Sequence, residues 1–531
     1  MYALGQFPFS LPGIIVPLAL TVCASPAAAF EDPRARPALG LLEAVRITLT
    51  NDPNIQLQEA AVHFSRGSLQ EAKGRFDSRL AGSISQGLEQ TAVQTSDTNA
   101  LNPGGFQRLT VDRTTARASV DKQFRSGLEV SPGVQYTQFD DNNKVGLEPE
   151  SRAEVNFTVR VPLGRGLGRK DVAAEETAAR INLEASKMAL RNVIAASVLN
   201  TAASYWNYRA ATLRLQILQQ SENRARELIN NTLQLVKANE VPPAETNQLA
   251  ANVADKVASR IAAEQELIEA RHTLGLSMGV SPDTLAQFSP PTDEFPEASD
   301  QVQELAAHTF IQLALAQRTD LQSARLREGS ARTMVDAAHA RLKPQADLLL
   351  QAGYGGVAVG GESRRFVGAF SDNIEGVSGF LALNFSWPPA NNAARGILVQ
   401  QEALYEQALL RADDLARHIA SGVEVSLERL RREGQALKET ASAIAEYQIA
   451  VKNEQIKRQL GLSDFLNVVA LEDRSINASL AHLTAQLQHA VALARFRYET
   501  GLLMAGDAQR ISITLEQFVS LPSAKSAIRQ P

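Results

Sequence analysis

The residues that could do chemistry are few and poorly grouped. Seven histidines are scattered along 531 residues, and His63, His272, His308 and His339 fall in no metal-ligand spacing. His482 and His489, seven apart, can share one face of a helix, but two ligands do not make a site. Gly353-Tyr354-Gly355-Gly356 and Gly360-Gly361 form a glycine-rich stretch. It lacks the lysine of a phosphate loop and reads as a hairpin turn or a loop. No Ser, His and Asp stand out as a nucleophile with its base. The sequence implies no cofactor and no metal, and it disfavours an enzyme.

The elements that would position any site are long and helical. Lys and Arg number 53 against 58 Asp and Glu, a formal charge of −5, so no basic footprint for nucleic acid is present. Aromatic residues are only 5% of the chain, which suits long helices better than a compact sandwich. Residues 1–29 read as a secretory leader: no charged side chain, the apolar run Ile14-Ile15-Val16-Pro17-Leu18-Ala19-Leu20, then Ser25-Pro26-Ala27-Ala28-Ala29 as a cleavage site. The alternative is a short membrane anchor. The single cysteine, Cys23, lies inside this leader, so a chain cleaved after Ala29 carries no thiol. A lipidated Cys23 is the other possibility; Leu20-Thr21-Val22 lacks the small residue expected before it. No later apolar run reaches the ~18 residues of a spanning helix. If the chain crosses a membrane, it does so as strands.

The chain reads as two halves with the same order of parts. Pro282, Pro290, Pro291 and Pro296 mark a linker over 280–301 between them. An opening helix is expected over 41–74, with Asp52-Pro53 as N-cap and first helical residue, and again over 302–342. Ile55 matches Leu321, and Arg75-Phe76 matches Arg341-Leu342, at a shift of 266. Val161-Pro162-Leu163 matches Trp387-Pro388-Pro389, and Gly275 matches Gly501, at a shift of 226. The fall from 266 to 226 makes the first half's strand region 40 residues longer, and a duplication is the simplest account. Strand segments alternate: Val155, Phe157, Val159 and Val161 against Asn156, Thr158 and Arg160; Leu381, Leu383, Phe385 and Trp387 against Ala382, Asn384 and Ser386. One apolar face and one polar face fit a barrel with a wet lumen, and equally a half-buried sheet. Residues 169–240 hold neither Gly nor Pro, enough for a helix of about 100 Å at 1.5 Å per residue. In the second half Leu404, Ala408, Ala412, Leu415, Ile419, Val423, Leu427 and Leu430 step by three or four. Helices of this length need neighbours along their whole extent.

This arrangement resembles the TolC-like outer-membrane efflux protein family over nearly the whole mature chain. Ala203-Ser204-Tyr205-Trp206-Asn207-Tyr208 resembles the family's aromatic helix motif. Val159-Arg160-Val161-Pro162-Leu163-Gly164-Arg165-Gly166 resembles its strand-to-helix exit, and Gly461-Leu462-Ser463-Asp464-Phe465-Leu466-Asn467 its periplasmic turn. The resemblance implies a mainly α fold with a transmembrane β part. Two strand and long-helix-hairpin halves per chain would build a homotrimer, an α-helical barrel joined to a shared twelve-stranded β-barrel, four strands from each chain. The surplus strand-like sequence between 77 and 152 departs from that count and fits an extended extracellular hairpin or loop. The expected domains are the leader 1–29, a first repeat 30–279 and the linker 280–301. A second repeat over 302–510 and a tail over 511–531 follow. Strands are expected at about 77–163 and 344–389, and long helices at about 168–275 and 392–505.

The implied function is that of an outer-membrane channel subunit in a tripartite efflux or type I secretion system. Its implied partners are a periplasmic adaptor, an inner-membrane transporter and outer-membrane lipid. A periplasmic long-helix adaptor or scaffold is the competing reading, but it needs only one hairpin and a separate β-domain. In the family the mouth lies where each helix pair turns and is closed by polar links, often with carboxylate rings. Glu245 falls where the first turn often has a linking Asp. The two usual ring carboxylates fall on Asn467 and Ala470, so Asp464 is the nearest remaining carboxylate, with Arg458 as a partner. Val241, Pro242, Gly461, Leu462 and Ser463 resemble adaptor-contact positions. Threefold repetition of Glu245 and Asp464 would favour cations. Glu245→Gln combined with Asp464→Asn is therefore expected to lower cation preference in bilayer recordings; an unchanged reversal potential removes both residues from the mouth.

Overall fold

The computed structural model describes residues 39–94, 106–141, 150–238, 242–285, 288–359, 375–460, 462–463, 465–504 and 513–522. The expected leader with Cys23 and the glycines at 360–361 lie outside these residues. Each half opens on a broken helix. In the first, α1 (Leu41–Asn51) and α2 (Pro53–Gly74) meet at Asp52, whose side chain accepts from the Asn54 N–H at 2.9 Å. Pro53 takes the first helical position, where no N–H is needed, as the Asp-Pro pair predicts.

The second half makes the same break without proline. A 3-10 turn (Asp300–Glu304) leads to α7 (Ala307–Gln317) and α8 (Thr319–Arg341), so the single helix expected over 302–342 is interrupted at Arg318. Asp52 and Arg318 stand 266 residues apart with φ −63° each and ψ of 119° and 118°. Each donates its N–H to the carbonyl four residues back, Thr48 and Ala314. Arg318 is buried, so its charge needs partners. Its guanidinium donates to Asp320 at 2.7 and 3.1 Å and to Glu499 at 2.6 Å, and lies 4.8 Å from the Tyr498 ring centre.

Each break leans on a glycine that ends a long return helix. Gly279 closes α5 (Ala244–Met278) at φ +67°, and Gly501 follows α10 (Phe465–Glu499) at φ +75°. A Cβ on Gly279 would lie 2.3 Å from the Asn51 carbonyl oxygen; one on Gly501 would lie 3.4 Å from the Gln317 Cβ. By this contact Gly501 corresponds to Gly279 and not to Gly275, a slip of one helical turn. The reason is local: the first half spends residues 163–173, including the short α3 (Arg169–Val172), between its strand exit and its long helix.

The long helices are α4 (Ala174–Lys237, 64 residues) and α9 (Asn392–Gln459, 68 residues). Near the sheet the helices lie in the row α2–α4–α8–α9; toward the other end the row is α5–α4–α10–α9. The packed core sits between, around Tyr205 and Trp206, both fully buried. The Tyr205 hydroxyl donates to Asp293 at 2.8 Å and Asp293 accepts from the Leu41 N–H at 2.7 Å, while Phe295 stacks 5.1 Å from Trp206. The expected linker 280–301, which opens with the short α6 (Pro282–Leu285), is therefore a strap across the core. Ala412, Ile419, Val423, Leu427 and Leu430 of the apolar stripe are buried; Leu404, at its sheet-proximal end, is 51% exposed. Part of the expected tail is packed as well. Phe518 is fully buried in the short α11 (Glu516–Val519), and Arg497 donates to the Ser520 carbonyl at 2.7 Å.

Among the described residues the strands form one antiparallel sheet in chain order. They are β1 (Arg79–Gln94), β2 (Phe106–Gln123), β3 (Glu129–Asp141), β4 (Glu150–Pro162), β5 (Gln345–Val359) and β6 (Glu375–Ser386). Among the described residues six strands stand where the resemblance implies four per chain. The first half's longer strand region is an extra hairpin. Its strand β2 returns to β3 through a helix-side turn at 124–128 that the sequence did not reveal. Arg125 there donates to Glu176 at 2.6 Å, and Gly127, at φ +95°, sits where a Cβ would meet the Gly166 carbonyl oxygen at 2.0 Å. The Arg125 guanidinium holds the Glu176 carboxyl below the usual carboxylate range. Cross-strand register puts Leu80, Ile84, Val134, Phe157, Leu350 and Leu381 on one face, with Arg79, Ser83, Arg117, Gln135, Asn156 and Ser378 on the other. No described helix is long and apolar enough to cross a membrane.

The glycine crossing predicts an asymmetric response. Gly279→Ala forces a left-handed Cβ into a backbone oxygen and is expected to destabilise by about 2 kcal/mol or more, whereas Gly67→Ala, with open space around it in α2, is neutral or stabilising. Thermal unfolding of both variants checks this; equal midpoints would mean that the crossing contributes nothing.

Candidate functional site at the helix turns

Two helix-to-helix turns form the end of the chain remote from the sheet. In the first, α4 ends at Lys237 and α5 starts at Ala244. Val241 lies outside the described residues. Pro242 and Pro243 are exposed, and the Pro243 carbonyl accepts from the Thr246 hydroxyl at 2.6 Å and from its N–H at 3.2 Å. Glu245 belongs to the first turn of α5.

The second turn is closed by its own polar clamp. α9 ends with the Leu460 N–H on the Ile456 carbonyl at 3.1 Å and the Leu462 N–H on the Lys457 carbonyl at 2.9 Å, a wrapped C-terminus that satisfies late carbonyls. Gly461 and Asp464 lie outside the described residues. The Ser463 hydroxyl donates to Glu454 Oε1 at 2.5 Å, and Lys457 donates to Glu454 Oε2 at 3.1 Å. These two donors, Ser463 above all, hold the Glu454 carboxyl below the usual carboxylate range. Asn467 donates to the Ser463 hydroxyl at 3.5 Å, and the Arg458 guanidinium lies 4.7 Å from the Phe465 ring centre, so both serve the turn's own packing. Sequence reading missed Glu454 and Lys457. The signal was an acidic and a basic residue three apart in the last turns of a helix.

Links between helices lie further in. Lys256 of α5 donates to Asp473 of α10 at 2.5 Å, tying the first hairpin to the second. Arg260 of α5 donates to Glu222 of α4 at 2.6 Å, and Gln455 of α9 to Glu472 of α10 at 3.1 Å. The expectation of polar links between helices thus finds residues other than those the sequence singled out. Around the second turn Leu460, Leu462 and Leu466 are 69%, 74% and 50% exposed. Apolar side chains so placed on a helix tip are a contact surface in search of a partner.

No known family's sequence profile matches the chain, and no curated protein matches it by sequence. Solved structures do match by fold. The outer-membrane channel OprN superposes with a TM-score of 0.63 over 88% of this chain and 91% of its own, at 16% identity. The outer membrane protein VceC of Vibrio cholerae gives 0.60 over 87% and 96%, at 16% identity. The CmeC outer membrane channel of Campylobacter jejuni gives 0.59 over 92% and 88%, at 12% identity. The chain has the fold of the TolC-like outer-membrane channels.

The clamp predicts a pH-dependent turn. The folded Glu454 pKa is depressed, so its stabilisation is complete above the ordinary carboxylate value of 4.5 and is lost as pH falls through the depressed one. Glu454→Gln is expected to raise tryptic cleavage at Lys457 and Arg458 several-fold at pH 7. An unchanged cleavage rate would show that the turn does not need the carboxylate.

Proposed function

We propose that this chain is the subunit of an outer-membrane channel for tripartite efflux or type I secretion. It gives substrate a passive path from an inner-membrane transporter across periplasm and outer membrane, and it makes no bonds. The observation that carries the reading is the joining of one sheet, apolar on one face and polar on the other, to helices of 64 and 68 residues in a single row. An apolar outer face answers lipid and a polar inner face answers water. The likeness to structures described as outer-membrane channels supports the same location.

The chain acts as a homotrimer. Single copies leave Leu57, Phe64, Ile261 and Ile268 exposed on one flank of the helix row and Val399, Leu404 and Leu410 on the other, which are surfaces for neighbouring copies. The two halves, 30–279 and 302–510, act as repeats joined by the strap 280–301. The helix turns form the periplasmic mouth: Glu245, Arg458, Asp464 and Asn467 are its gate candidates. Val241, Pro242, Gly461, Leu462 and Ser463 are its contacts to a periplasmic adaptor, with exposed Leu460 and Leu466 extending that surface. The adaptor reading is disfavoured because the strands interrupt both halves and join into one sheet instead of forming a separate domain.

The mass of the particle extracted from outer membranes in mild detergent tests this. Three chains per particle are expected. A monomer released without detergent overturns the channel and favours the adaptor.

A further inference from the structure

The sheet is wider than the resemblance implies, and its width matches the helices beneath it. Strand β1 follows α2, β4 precedes α4, β5 follows α8 and β6 precedes α9. Four strands therefore stand on the four helices of the row α2–α4–α8–α9, and the β2–β3 turn is seated between the first two. At an interaxial distance of ~10 Å, four helices occupy an arc of about 40 Å. Strands ~4.8 Å apart and tilted ~40° occupy about 25 Å when there are four and about 38 Å when there are six. With six strands the β-layer is as wide as the helix layer that carries it.

The helix-side part of the extra hairpin has the character of barrel wall; beyond Ile84 the same face turns mixed, with Gln86 donating to Asp112 at 3.3 Å. β1 and β2 pair without interruption from Arg79↔Asp121 to Gln94↔Phe106, and β2 continues the sheet into β3. Leu80 and Ile84 extend the apolar face that Val155 and Leu350 carry, at 79% and 82% exposure in the single chain, while Ser83 and Arg117 extend the polar face. A hairpin lying outside the membrane has no need of one apolar face. Among the described residues the outer edges of β1 and β6 have no strand partner. With an even number of strands, β1 and β6 run in opposite directions, so an edge of one copy meets the other edge of the next in antiparallel sense.

We infer that, given the homotrimer proposed above, the chain closes an eighteen-stranded barrel in which β1 of each copy pairs with β6 of the next. The backbone diameter becomes about 36 Å, against about 24 Å for twelve strands. The wall does not narrow where helix gives way to strand, and the channel suits bulky, hydrated cargo that a twelve-stranded wall excludes.

Cysteine cross-linking in a Cys23→Ser background tests the seam, because no other cysteine exists in the chain. Ser83→Cys or Ser85→Cys on β1 is combined with Ser378→Cys or Asn384→Cys on β6. The control combines Ser131→Cys on β3 with each β6 variant, the seam a twelve-stranded barrel would use. Membranes are oxidised and separated on denaturing gels. At least one β1–β6 combination is expected to give a covalent trimer, with the β3 combinations remaining monomeric. Covalent trimer from β3–β6 and not from β1–β6 overturns the inference while leaving the trimer intact. If no combination reacts, the strand count in a single-particle map decides, eighteen supporting the inference and twelve overturning it. A particle of other than three chains overturns the proposed channel itself, which separates the two failures.

Discussion

The fold turns on one crossing made twice. In each half the opening helix breaks, and the broken backbone passes over the glycine that ends that half's return helix. The first break uses Asp52 and Pro53 against Gly279; the second uses Arg318 and Thr319 against Gly501. The two solutions differ in chemistry and agree in geometry. Proline fixes the first break through the chain itself. The second lacks proline and relies on a buried guanidinium held by Asp320 and Glu499. The crossings are also where two cores gather: the one around Trp206 grips the 64-residue helix, and the one around Phe310 and Phe496 grips the 68-residue helix through Ile419, Val423, Leu427 and Leu430.

Much of this was legible in the sequence, and the exceptions are instructive. The Asp-Pro break, the long helices, the alternating strands and the shift of 266 are local signals, and each survives in the structure. The break at Arg318 was not legible because its cause is tertiary: the partners of that arginine are Asp320 and a residue 181 positions away. The packing of the linker was not legible because proline content reports on backbone freedom, not on what Asp293 and Phe295 touch across the core. The two extra strands were legible only as surplus strand-like sequence, for a different reason. Alternation identifies a strand but not its neighbour, and the helix-side turn depends on Gly127 approaching Gly166, a contact without periodicity.

The site was the least legible part. Residue-by-residue carry-over pointed to Glu245, Asp464 and Asn467, positions defined by distance from a turn. The clamp that forms uses Glu454 and Lys457 from the helix before the turn, with Ser463 as the bridge. A carboxylate bonded to a hydroxyl and an ammonium serves the turn first, so its charge is spent locally. Lys256 and Asp473 spend theirs between hairpins. In the channel proposed above, charged residues near the mouth are therefore not interchangeable: some hold the helices in place, and only those left over can act on what passes.

The open edges of β1 and β6 also bear on how such a chain is made. Each unpaired backbone group placed in hydrocarbon costs several kcal/mol, and each edge carries a row of them along 12 to 16 residues. A lone subunit thus has no stable resting place inside a bilayer. Closing the ring and entering the membrane become one event, and a subunit that fails to find its companions stays in water, with its edges exposed to whatever strand arrives first. If the chain is exported and assembles as the trimer proposed above, newly exported chains must be kept apart from other sheets until three of them meet.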